Sequence, residues 1–197
     1  MGFTRTASPA FFMLLPVLLT LILFSGCAKI IQVTTSEPVQ ISTNKRSLGT
    51  RINDEQLETF ARVNIHKASK EFENARINID SFNGIVLLTG QVPSEQLRQL
   101  AGTTVSQINT LRQLHNELAV SERTRLPTHA KDAWISTKIK TKLIASNIQS
   151  SRVRIITESQ SVYLMGLVSR HEAERVTEMA RTTKGVIQVV KVFEYID

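Results

Sequence analysis

An apolar strand that ends on glycine occurs twice in this chain, 76 residues apart. Ile85-Val86-Leu87-Leu88-Thr89-Gly90-Gln91-Val92 is matched by Ser161-Val162-Tyr163-Leu164-Met165-Gly166-Leu167-Val168. Val86, Leu88, Gly90 and Val92 stand over Val162, Leu164, Gly166 and Val168, and upstream Ile77 and Ile79 stand over Val153 and Ile155. Agreement in period, in apolar positions and in the terminal glycine marks an internal repeat. The chain of 197 residues is therefore expected to hold two copies of one small unit, and function is to be sought in what differs between them.

The pattern around each copy predicts an α+β fold of two tandem α-β-β-α-β units, each a three-stranded sheet covered by two helices. In the first, residues 53–123, Asp54 caps a helix whose stripe is Leu57, Ala61, Ile65, Ala68 and Phe72. A strand from Arg76 to Asp80, a turn at Ser81-Phe82-Asn83-Gly84 and the glycine-ended strand follow. Pro93-Ser94 starts a second helix carrying Leu97, Leu100, Ala101 and Val105, and Leu114, Leu118 and Val120 mark the last strand. Glu122 to Thr128 is expected to link the copies, with Pro127 as a breaker. The second unit, residues 129–197, repeats the order: a helix from Asp132 to about Asn147, strands Arg152–Thr157 and Ser161–Gly166, a helix from Arg170 to about Thr183, and a strand Ile187–Tyr195. At roughly 65–70 residues each unit is large enough for its own core, so two separate bodies are expected, the second able to fold alone.

Residues 1–26 read as a signal peptide: one early cation, Arg5, then an apolar run from Ala10 to Phe24 that is too short for a membrane span. The run ends in Leu23-Phe24-Ser25-Gly26-Cys27, which resembles a bacterial lipobox and makes Cys27 the expected lipidated first residue. An ordinary cleaved signal followed by a chance cysteine is the alternative. Cys27 is the only cysteine, so neither an intrachain disulfide nor a thiolate zinc site is available. Alanine at position 28, where aspartate would favour the inner membrane, implies the outer membrane. Residues 27–52, rich in Thr, Ser, Gln and Asn, read as a flexible tether.

Charge separates the copies. The chain carries a net +7, yet residues 53–126 hold 8 basic against 9 acidic side chains, and residues 129–197 hold 11 against 7. The basic excess lies in the second repeat and the tether and suggests an anionic partner. Lys131, Lys138, Lys140 and Lys142 lie on or beside one helix, with Asp132 alone opposing them. On a helical wheel of about 100° per residue, Ile135, Ile139 and Leu143 share a core-facing stripe, while Trp134 falls about 100° and Ile144 about 180° from Ile135. Trp134, Thr141, Ile144 and Ala145, with Lys138 and Lys142 beside them, are thus the expected anionic phospholipid-binding face: apolar groups enter the headgroup boundary and cations meet phosphate. Packing of Trp134 against the first repeat or the linker is the alternative.

Other chemistries find no support in the residues. His66, His115, His129 and His171 are scattered, without metal-ligand spacing. No serine stands in a nucleophile elbow, and no glycine-rich loop precedes a helix. Gly90, Gly166 and Gly185 read as structural positions. Neither an enzyme, a cofactor, a small-molecule substrate nor a metal is expected. Export and the absence of nucleic-acid-binding motifs argue against nucleic acid as the partner.

The doubled pattern, with its glycine-ended strands and Gly185-Val186 before the last strand, resembles the BON domain. Together with the lipobox, Arg46-Ser47-Leu48-Gly49-Thr50 and Asp132-Ala133-Trp134-Ile135, it makes the mature chain similar to outer-membrane lipoproteins with two BON domains. Aligning Leu114, Asn116 and Leu118 with Val189, Lys191 and Phe193 puts Thr110 where Gly185 stands. The resemblance implies a non-enzymatic, periplasm-facing protein that binds anionic phospholipid, supports outer-membrane integrity and is enriched at the division site; a monomer is expected. A protein-interaction module acting on outer-membrane assembly machinery or peptidoglycan-associated partners is the other class to be weighed.

Overall fold

The computed structural model describes residues 48–121, 126–146 and 148–197. Cys27, the signal peptide and most of the tether lie outside them. The first repeat runs α1 (Leu48–Ala68), a 3-10 turn (Lys70–Asn74), β1 (Arg76–Phe82), β2 (Ile85–Val92), α2 (Glu95–Ser106) and β3 (Gln113–Val120). The second runs α3 (Leu126–Ala145), a 3-10 turn (Ser150–Arg152), β4 (Val153–Glu158), β5 (Ser161–Val168), α4 (Arg170–Arg181) and β6 (Gln188–Tyr195). Each repeat is an α+β unit with sheet order β1-β2-β3 or β4-β5-β6. The first two strands are antiparallel and the last returns parallel through the second helix.

The glycine-ended strand is the central strand of each sheet. A Cβ on Gly90 would lie 2.0 Å from the Arg76 carbonyl oxygen, and one on Gly166 would lie 2.4 Å from that of Arg152. Both glycines admit the neighbouring edge strand where a side chain would clash.

The two sheets pack face to face. Val86, Leu88 and Val92 point to the first repeat's helices, and Val162, Leu164 and Val168 to the second's. The alternate residues of the same strands, Ile85 and Leu87 with Tyr163 and Met165, meet Phe82 and Val192 in a third apolar cluster between the sheets. Burial of six such side chains, at about 1.5–3 kcal/mol each, outweighs the ion pairs at the rim, which contribute about 1 kcal/mol or less where exposed. The expectation of two separate bodies is therefore corrected: both repeats belong to one compact unit, Ser42–Asp197.

Several boundaries also move. The first helix starts at Leu48, inside the expected tether, so Asp54 is not its cap. The Asp54 carboxylate is buried and accepts hydrogen bonds from Asn83 N–H (2.9 Å), Gly84 N–H (2.8 Å) and the Ser81 hydroxyl (2.8 Å), clamping the β1–β2 turn to α1. Asp132 repeats the device with Ser159 N–H and Gln160 N–H, both at 2.8 Å. Ala68 is exposed, and Phe72 reaches the core from the 3-10 turn rather than from the helix. Pro127 stands in the first turn of α3, where its missing N–H costs nothing.

Candidate functional site

The outward face of α3 is built by its inward one. Ile135, Ile139 and Leu143 are buried against the second sheet, which fixes the helix rotation and turns Trp134 and Ile144 outward. Trp134 is 56% exposed and Ile144 71% exposed. With more than half its surface open, the indole is not buried against the first repeat. Thr141 and Ala145 are exposed on the same helix, and the Thr141 hydroxyl donates back to the Thr137 carbonyl at 3.0 Å.

The lysines divide by task. Lys138 lies over the indole, its Nζ 3.3 Å from the ring centroid, and donates to the Lys184 carbonyl at 2.9 Å. Desolvation, and then the ammonium groups of Lys142 and Lys184, hold its pKa below the usual lysine value. Lys142 donates to the Thr183 hydroxyl (2.8 Å) and the Met179 carbonyl (3.3 Å), tying α3 to the end of α4. Lys140 points elsewhere, into a cavity beside β4 with Ser151 and Val153. Asp132 is buried under its two N–H donors, so it does not oppose the surface lysines as the sequence suggested.

The loop after α4 completes this face; the sequence marked its Gly185 as structural but did not place Lys184 or Ile187 on the face. Its Gly185 has φ +103°, and a Cβ there would lie 3.2 Å from Ile135 Cδ1, so the loop closes on α3 only with glycine. That approach brings Lys184 to Lys138, and the same loop exposes Ile187, 74% open. The signal was an isoleucine in register with a strand but standing just before it. Among the described residues, no three His, Cys, Asp or Glu side chains converge as metal ligands, and no helix is long and apolar enough to cross a membrane.

Comparison with known proteins agrees with this architecture. The family model described as "BON domain" matches residues 53–122 and again residues 131–197. The chain is 31% identical over 177 residues to the outer membrane lipoprotein DolP of Haemophilus influenzae, covering 89% of this chain and 92% of that one. It is 36% identical over 152 residues to the 21 kDa hemolysin of Actinobacillus pleuropneumoniae, covering 77% and 78%. A solved structure of the C-terminal domain of CdsD, a structural protein of the type III secretion system of Chlamydia trachomatis, aligns over 68% of this chain and 96% of that one. Its TM-score is 0.30 and its identity 10%, too slight a likeness to bear on the fold. Two matches to the family model and a relative that covers 89% of the sequence leave one assignment: the chain belongs to the BON-domain family and carries one BON domain in each repeat.

Proposed function

We propose that this protein is an outer-membrane lipoprotein, anchored through Cys27 and facing the periplasm, whose second BON domain binds anionic phospholipid and thereby supports outer-membrane integrity, with enrichment at the division site. Its anchoring and location draw support from the lipobox-like run ending at Cys27 and from the relative named as an outer membrane lipoprotein. Non-enzymatic action follows from the same reading. The lipid function rests on one observation above all: Trp134 and Ile144 stand open on a helix whose opposite stripe is locked in the core, with Lys138 lying across the indole. An indole and an isoleucine at the headgroup boundary lose water-exposed apolar area. Lys138, with a carbonyl as its hydrogen-bond acceptor and no carboxylate among the described residues, has its charge left for a lipid phosphate.

Three measurements test this. Mass spectrometry of the mature protein should find Cys27 at the N-terminus carrying acyl mass; an unmodified thiol there defeats the anchor. Residues 28–197, free of acyl chains, should sediment with phosphatidylglycerol vesicles and not with phosphatidylcholine vesicles, and less so at high salt, because exposed charge attraction is screened beyond about 8–10 Å. Trp134 is the only tryptophan, so its emission should shift to the blue on binding. Equal sedimentation with both vesicles would defeat the lipid reading.

A further inference from the structure

The first BON domain has an open sheet edge beside an apolar slot, and neither takes part in the lipid face. β1 is an edge strand, paired only with β2. Backbone N–H and C=O of successive residues point alternately to the two sides of an antiparallel strand. The side that faces away from β2 is identified by Ser81, whose N–H donates to the Glu58 carboxylate (2.8 Å) and whose carbonyl accepts from Arg154 (3.0 Å). Ile77 and Ile79 share that parity. Among the described residues their outward groups have no partner, whereas Ser81 closes the end of the edge.

Against this edge lies a slot of about 190 Å³ between α1, the 3-10 turn and β1, lined by Ile65, Phe72, Ile77 and Ile79 with Arg62 and His66 at its rim. Neither Arg62 nor His66 makes a hydrogen bond or ion pair among the described residues. The second repeat does not offer the same combination. There the residue equivalent to Ile77 is Val153, and its N–H is already used by the Ser150 carbonyl.

We infer that the first BON domain binds an extended peptide as a fourth strand on β1, placing an apolar side chain in the slot and a carboxylate on Arg62 and His66. Unpaired N–H and C=O groups two residues apart match the backbone of one added strand. The slot accepts the side chain that alternates to the helix side. The Arg62 guanidinium and the His66 imidazole, neither hydrogen-bonded nor ion-paired among the described residues, favour a chain end whose last residue is apolar. This assignment gives the acidic-neutral repeat a protein partner, independent of the lipid face on the basic one.

The experiment uses residues 28–197, which contain the whole compact unit Ser42–Asp197, and fluorescein-labelled hexapeptides of sequence Gly-Thr-Val-Thr-Val-Phe and Gly-Thr-Val-Thr-Val-Leu. Anisotropy should show saturable binding of the free-acid peptides, about tenfold weaker binding of their C-terminal amides, and a similar loss for Arg62→Ala. Retained binding of an amide bearing a terminal aspartate would assign the carboxylate to a side chain rather than the chain end and overturn that part of the inference. Ile77→Pro removes the outward N–H together with the side chain that lines the slot, takes no donor from the β1–β2 ladder, and should abolish binding while vesicle sedimentation is unchanged. The amides of Ile77 and Ile79 should be the most shifted in a nitrogen–proton correlation spectrum, a readout that does not depend on the proline variant folding. No saturable binding of either free-acid peptide, or shifts confined to the second repeat, overturns the inference.

Discussion

Arg76 in the first sheet places Nη1 2.7 Å from both carboxylate oxygens of Glu158 in the second. Glu158 also accepts from Asn78 Nδ2 at 3.1 Å and Gln91 Nε2 at 2.7 Å, so three side chains of one repeat converge on a single buried carboxylate of the other. Arg154 returns the pattern, reaching back to Glu58 (2.9 Å) and Asp80 (2.8 Å). These contacts close the polar rim of the apolar cluster between the sheets and make each repeat part of the other's surface.

Removing Glu158 should therefore unfold both repeats together. Glu158→Ala leaves the Arg76 guanidinium, mostly buried, without its counter-charge, and is expected to cost about 3 kcal/mol. Urea titration followed by far-UV dichroism and by Trp134 fluorescence should give one coincident transition, shifted to lower urea. Two separated transitions would show that the repeats unfold independently. The same packing predicts that an isolated second repeat, with Tyr163, Met165 and Val192 uncovered, aggregates rather than folding alone.

Much of this was legible in the chain. The repeat, the element order and the rotation of α3 followed from apolar spacing, because a helix or strand with one buried face writes its period into the sequence. The contact between sheets was legible too, had parity been followed. Ile85 and Leu87, like Tyr163, Met165 and Leu167, make the central strands apolar on both faces, the mark of a strand covered on both sides. What periodicity does not carry is which charged residues meet across the stack. Arg76 and Glu158 are 82 positions apart, and their pairing depends on how one twisted sheet is laid on another. Likewise Asp54 read as a helix cap and Asp132 as a counter-charge to the lysines until the turns they hold came into place.

Asp132 gives a second test. Ser159 and Gln160 both have positive φ, 49° and 66°, and their N–H groups end on its carboxylate. Asp132→Ala should leave two donors unsatisfied in a strained turn and cost about 2 kcal/mol, measured by urea unfolding. Had the carboxylate merely offset the nearby lysines, its removal would strengthen sedimentation with anionic vesicles and leave stability unchanged.

The two acids at the interface should respond to pH with opposite signs. Hydrogen bonding from Arg112, at 2.6 Å, is the main cause holding the Glu194 carboxyl below the ordinary value of 4.5. Its stabilisation is thus present above that value and lost as pH falls through the lower folded pKa. Arg112 is half exposed, so Glu194→Gln should cost only about 0.5 kcal/mol at pH 7 and progressively less as the pH falls below 4.5. Asp80 is raised instead, chiefly by desolvation, with Arg154 opposing. Burial penalises its charged form, so Asp80→Asn should cost little or nothing at pH 7, where Arg154 keeps Glu58. Urea midpoints of both variants across pH 2–7 check the contrast; a larger loss for Asp80→Asn than for Glu194→Gln at pH 7 would reverse it.

On α3 the contrast is between faces of one helix. Ile139 is fully buried, so Ile139→Asp should unfold the protein by burying a carboxylate without a partner. Ile144 is 71% exposed, so Ile144→Asp should leave the urea midpoint within about 0.5 kcal/mol of the parent, as surface changes do. The same variant should lose sedimentation with phosphatidylglycerol vesicles, because it puts a negative charge where the apolar patch meets lipid phosphate. Trp134→Ala should lose binding too while keeping the fold. Lys138 supplies an independent reading. Its pKa is held down by desolvation and by Lys142 and Lys184, and a phosphate beside Nζ favours the protonated form, so anionic vesicles should raise the pKa that nitrogen-detected NMR reads at Nζ. Phosphatidylcholine vesicles should leave it in place. If Lys138 does not move while Trp134 emission shifts to the blue, the face enters the bilayer through apolar contact alone, and the anion preference belongs to other cations of the second repeat.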